Sequence, residues 1–122
     1  MAADPAALAA IARRWLDCFA RHDLDGLLAL YADDAVHTSP KIRVRHPDTG
    51  GVLRGKPALR AWWADAFARI PGLGYQLLSI TADGDRAFME YVRHAPGEPD
   101  LPVAEVLDVA GGRIVASRVY HG

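Results

Sequence analysis

Residues 22–40, HDLDGLLALYADDAVHTSP, decide how the rest of the chain is read. Asp23 is a good N-cap, and Asp25 falls in the first turn, where the helix dipole favours negative charge. Leu24, Leu27, Leu28 and Tyr31 recur at helical spacing and predict one apolar face. Ala32, Asp33 and Asp34 read as a polar, turn-like break, residues 35–38 as extended chain, and Pro40 as its stop. A short helix therefore feeds directly into a strand that carries His37.

Upstream, Asp4 and Pro5 open a helix as N-cap and first helical residue. Leu8, Ile11, Trp15, Cys18 and Phe19 follow at steps of three and four, which predicts its buried face. Downstream, residues 41–54 hold Lys41, Arg43, Arg45, His46 and Arg54 around a Pro-Asp-Thr-Gly-Gly turn. Ile42, Val44, Val52 and Leu53 suggest a short hairpin there. The segment is either a solvated loop or a lid over a pocket mouth that attracts an anionic group. Lys56 and Pro57 open a third helix with Leu59, Trp62, Trp63, Ala66, Phe67 and Ile70 on its apolar stripe. Residues 75–82, 86–94, 102–109 and 113–121 read as four antiparallel strands, separated by turns such as Asp83-Gly84 and Gly111-Gly112. Three helices and then a meander predict an α+β fold with the helices on one side of a curled sheet. The concave face of such a sheet is a natural pocket.

Composition narrows the field. A chain of 122 residues suits one domain, 1–122, with a real core. The formal net charge of -1 gives no electrostatic case for nucleic acid or an anionic membrane. The single Cys18 cannot form an internal disulfide, and neither a signal peptide nor a membrane span is legible, so a cytoplasmic location is expected.

The run at 23–35, the helix start Gly55-Lys56-Pro57-Ala58-Leu59 and the late Gly112-Arg113-Ile114-Val115 together resemble the nuclear-transport-factor-2-like (NTF2-like) superfamily, in its SnoaL-like and ketosteroid-isomerase-like branches. The resemblance implies three N-terminal helices packed on a curved, mostly antiparallel sheet that forms a conical pocket, a fold also called cystatin-like. It also implies a homodimer through the outer face of the sheet, with Tyr91, Arg93, Arg118 and Tyr120 as interface. Steroid isomerases similar to this chain carry a tyrosine where Trp15 stands, a general-base aspartate where Ser39 stands, and an acid on the penultimate strand matched by Glu105. A serine cannot shuttle an α-proton unaided, so true ketosteroid isomerase activity is not expected.

Strand parity then orders the site. His37 shares a face with Ser39, and Glu105 with Val103 and Leu107. For residues 86–94 the inward set is either Phe88, Glu90, Val92 and His94 or Met89, Tyr91 and Arg93. For the last strand it is either Ser117, Val119 and His121 or Arg118 and Tyr120. The first set of each pair follows the family pattern. His37 and Glu105 are the candidate catalytic pair, with Trp15, Tyr31, Ser39, Phe88, Glu90, His94, Ser117 and His121 around the substrate. Histidine and glutamate suit zinc or iron, but no clustered ligand spacing is present, so neither metal nor other cofactor is expected. Three functions fit. One is cofactor-independent acid/base catalysis (isomerase, cyclase or hydrolase type) on a small hydrophobic carbonyl compound. The second is non-catalytic binding of a ligand or protein in the same cavity. The third is a dimer whose cavity is vestigial.

Overall fold

The computed structural model describes residues 4–122. Helix α1, Pro5–Ala20, begins where Asp4 accepts a hydrogen bond from the Ala6 amide, and it buries Leu8, Ile11, Trp15, Cys18 and Phe19. Helix α2, Leu24–Ala29, is capped by the Asp23 carboxylate on the Gly26 amide. Between them His22 takes a left-handed φ of 50°, stacks on Phe67 and bonds the Leu73 carbonyl through Nε2. Strand β1 runs Tyr31–Thr38, longer than the expected 35–38. The Ala32-Asp33-Asp34 break is present as a bulge within this strand. Tyr31 pairs with Ile114 and Val36 with Ala116, so β1 carries three residues more than its neighbour over that step.

The structure corrects the reading of residues 41–54. Helix α3, Pro40–Arg45, and a 3₁₀ turn, Pro47–Thr49, stand where a hairpin was expected. Ser39 supplies the N-cap by accepting from the Lys41 amide, and Pro40 is the first helical residue. Strand β2, Val52–Arg54, pairs antiparallel with β1 and not with residues 42–44. Helix α4, Lys56–Arg69, follows, so among the described residues four α-helices and not three accompany the sheet.

Strands β3 (Gly74–Asp83), β4 (Arg86–His94), β5 (Leu101–Ala110) and β6 (Arg113–His121) form the expected antiparallel meander. The six strands lie in the order β2-β1-β6-β5-β4-β3, with β1 and β6 parallel and all other pairs antiparallel. The result is the α+β architecture anticipated, with helices packed on a curved, unclosed sheet. Leu8, Trp15 and Phe19 of α1, Leu27 of α2 and Trp63 of α4 share one core with Met89, Leu107 and Ile114 of the sheet.

Register settles the face of β4. Met89 pairs with Glu105 and Glu105 with Val119, so these three side chains share one face. The inner set of β4 is therefore Ala87, Met89, Tyr91 and Arg93, all buried. Phe88, Glu90 and His94 stand on the opposite face, one residue out of phase with the expectation. Phe88 is 41% exposed. Glu90 accepts from Ser79 Oγ, and His94 is bonded to Asp100 and Gln76. Tyr91 and Arg93, being internal, cannot belong to an outer-face interface.

Candidate active site

The concave side of the sheet and the helices enclose a cavity of ≈ 70 Å³. That is room for about five water-sized groups, well below a drug-sized pocket. Trp15 and Phe19 of α1, Trp63 of α4, Tyr75 of β3 and Tyr91 of β4 make an aromatic wall. Tyr75 stacks between Phe19 and Tyr91, at 4.8 and 4.4 Å between ring centroids. Into this apolar surround β1 delivers His37, β5 delivers Glu105 and β6 delivers His121.

A hydrogen-bond chain runs from α1 to His37. Trp15 Nε1 lies 3.0 Å from Tyr31 Oη, Tyr31 Oη 3.0 Å from Ser117 Oγ, and Ser117 Oγ 2.6 Å from His37 Nδ1. An indole N–H only donates, and this gives the chain its direction. Tyr31 accepts from Trp15, which leaves its own hydrogen for Ser117. Ser117 in turn donates to His37 Nδ1. Only this direction uses every hydrogen in the buried chain. It selects the tautomer of His37 with its proton on Nε2. Burial holds the imidazole down at about 4 against the opposing effect of a hydrogen bond to the Ser117 backbone, so the ring is neutral at pH 7. His37 thus presents a neutral N–H donor.

Glu105 is the counterpart. Its Oε1 accepts from Tyr91 Oη at 2.7 Å, while Oε2 is buried with no hydrogen-bond partner among the described residues. Burial pushes the carboxyl up to about 8, against the lowering effect of the Tyr91 hydrogen bond. At neutral pH the acid proton is therefore held, and it sits on Oε2 because Oε1 receives the Tyr91 hydrogen. Burial, followed by the Glu105 charge, also raises Tyr31, Tyr75 and Tyr91 above the usual phenol value. Glu105 is the one carboxyl group among the described residues that line this cavity.

Of the residues expected in the site, His37, Glu105, Trp15, Ser39 and His121 line the cavity. Tyr31 and Ser117 stand behind His37 as links of the hydrogen-bond chain. Ser39 faces the cavity, but its hydroxyl is engaged as the α3 cap. Phe88, Glu90 and His94 are not brought to it. Tyr91, Tyr75, Arg93 and Lys41 are the site residues that parity arguments passed over. Tyr91 and Arg93 belonged to the alternative face of β4, and the pairing of Met89 with Glu105 is the signal that selects it. Among the described residues no group of three or more His, Cys, Asp or Glu side chains is arranged to hold a metal ion. No described helix is long and apolar enough to cross a membrane.

Residues 12–117 match the SnoaL-like domain family, and the chain belongs to that family. Among solved structures it is similar to a SnoaL-like protein of unknown function from Burkholderia thailandensis, with 29% identity, a TM-score of 0.88, and coverage of 98% of this chain and 99% of that one. A candidate ketosteroid isomerase from Kribbella flavida shares 19% identity at a TM-score of 0.80, over 98% of this chain and 80% of its own. A candidate polyketide cyclase from Sinorhizobium meliloti shares 24% identity at a TM-score of 0.75, over 91% and 94%. The last two similarities establish the fold alone. No curated protein matches the chain.

Proposed function

We propose that the protein is a cofactor-independent acid/base enzyme acting on a small carbonyl compound, with Glu105 as the proton carrier and His37 as the donor to the carbonyl oxygen. The observation that carries this is Glu105 Oε2, a buried carboxyl oxygen with no hydrogen-bond partner among the described residues, on a side chain that lines the cavity. Such an atom costs stability unless something else occupies the position beside it. In its ionised form Glu105 takes a proton from the carbon next to the carbonyl. The electron pair moves onto the carbonyl oxygen, where His37 Nε2–H hydrogen-bonds the enolate. Glu105 then returns the proton to the same or a neighbouring carbon. A proton affinity near neutrality suits a group that must both take and give. Trp15, Tyr31 and Ser117 hold the His37 tautomer; Tyr31 and Ser117 stand behind His37, while Trp15 is also part of the cavity wall.

The test is exchange of α-protons for deuterium in small ketones and oxo acids, followed by NMR. Wild-type protein is expected to catalyse exchange, with a rate that rises through about pH 8 as Glu105 ionises. Glu105→Gln keeps the acceptor for Tyr91 and is expected to lower the rate at least about a hundredfold while ligands still bind. Equal rates in the variant would remove Glu105 from the chemistry. Binding without exchange in the wild type would make the protein a binder.

A further inference from the structure

The open side of the cavity is cationic, although the chain as a whole has a formal charge of -1. Lys41 and Arg45 of α3, Arg69 of α4 and Arg93 of β4 line both the cavity and an adjoining groove of ≈ 270 Å³. Two carboxylates answer these four cations. Asp65 lies 3.3 Å from Arg45 and 2.7 Å from Arg69, and Glu98 lies 3.0 Å from Arg93. Lys41 has no carboxylate within salt-bridge distance among the described residues, and Arg93 is only 7% exposed.

Arg45 and Arg69 are exposed, but Lys41 is half-buried and Arg93 buried. Burial, and then Arg93, push the Lys41 ammonium down from its ordinary value. His121 on the same rim is lowered by burial and then by Lys41 and Arg93. Like charges gathered at a partly desolvated rim repel one another, and an anion entering the rim relieves that repulsion. Helix α3 holds Lys41 there because Ser39 and Pro40 start the helix immediately before it. Lys41, Arg93 and Glu105 thus border one continuous space, charged at its mouth and apolar within.

We infer that the substrate is a small oxo acid, whose carboxylate sits among Lys41, Arg45 and Arg93 while its carbonyl oxygen meets His37 and Glu105. The carbonyl half of this assignment rests on the function proposed above; the carboxylate half rests on the rim alone.

Isothermal titration with levulinate, methyl levulinate and pentanoate separates the two halves. Wild-type protein is expected to bind levulinate at least about tenfold tighter than its methyl ester, because the ester lacks the charge. Lys41→Met is expected to reduce that preference at least about threefold through weaker levulinate binding, with Arg45 and Arg93 still present, while Lys41→Arg retains it. Circular dichroism checks that each variant is folded, and Lys41→Arg reports on the charge if Lys41→Met does not fold. Equal affinity for acid and ester in the wild type, an undiminished preference in Lys41→Met, its loss in Lys41→Arg, or no binding across the series would each overturn the oxo-acid assignment. Proton exchange in the ester that matches the acid would do so while the acid/base function stands. Pentanoate binding as tightly as levulinate would keep the anion subsite and overturn the carbonyl contact.

Discussion

A carboxyl group with one oxygen held by a phenol and the other buried without a partner among the described residues leaves a signature in the pH dependence of stability. Glu105 keeps its proton up to about pH 8 in the folded chain but only to its ordinary 4.5 when unfolded. Between those values the unfolded state binds fewer protons, so this group's contribution falls as pH rises. His37 acts with the opposite sign, since its folded value of about 4 lies below the ordinary 6.5. Its contribution grows from pH 4 to 6.5, offsetting Glu105 in the range the two share. The stability of wild-type protein minus that of Glu105→Gln isolates the carboxyl. Measured by urea denaturation, this difference is expected to decline between pH 4.5 and 8, at up to about 1.4 kcal/mol per pH unit. A flat difference would mean that Glu105 titrates as a solvated acid. That His37 and Glu105 face one cavity was legible in the sequence because strand parity and the family pattern agreed there. For β4 they did not: Phe88-Glu90-His94 and Met89-Tyr91-Arg93 each mix apolar and charged side chains, and only the register of pairing distinguishes them.

Among the elements, β1 and β6 lie side by side, and Ser117 joins them to α1 through Tyr31 and Trp15. Ser117→Ala leaves Tyr31 without an acceptor and His37 Nδ1 without a donor, both buried. The expected cost is roughly 1–3 kcal/mol of stability. Nitrogen-15 NMR of the His37 ring is expected to show the Nε2–H tautomer in the wild type and a tautomer mixture in the variant; identical spectra would refute the direction assigned to the chain. The long helices were readable from their caps, Asp4-Pro5 and Asp23, and from apolar spacing. Helix α3 was not, because Lys41-Ile42-Arg43-Val44-Arg45 alternates with the period of a strand. The Ser39 cap and Pro40 outweigh that pattern in a six-residue segment, and the helix buries Ile42 while leaving Val44 80% exposed.

At the scale of the whole molecule, the outer face of the sheet carries Phe88, Val106 and Tyr120 beside the ion pairs of Asp108 with Arg86 and Arg118. Tyr120 is 55% exposed there. The resemblance to NTF2-like proteins makes a second copy the expected occupant, with Arg118 and Tyr120 at the interface. Sedimentation velocity is expected to give a dimer for the wild type and a monomer for Tyr120→Glu; a monomeric wild type would free this face for other partners. The topology also bears on how the chain acquires its shape. Strand β6 is third in a sheet of six, yet it comes from residues 113–121. A chain emerging from the ribosome makes β1 and β2 early, but they meet β5, β4 and β3 only through β6. The meander β3-β4-β5 can assemble as it appears, while Tyr31 and His37 await a neighbour about 80 positions later. Joining the halves closes a long loop, which is expected to slow folding relative to a chain of local contacts, and tryptophan fluorescence, to which the buried Trp15 contributes, is expected to follow that final closure.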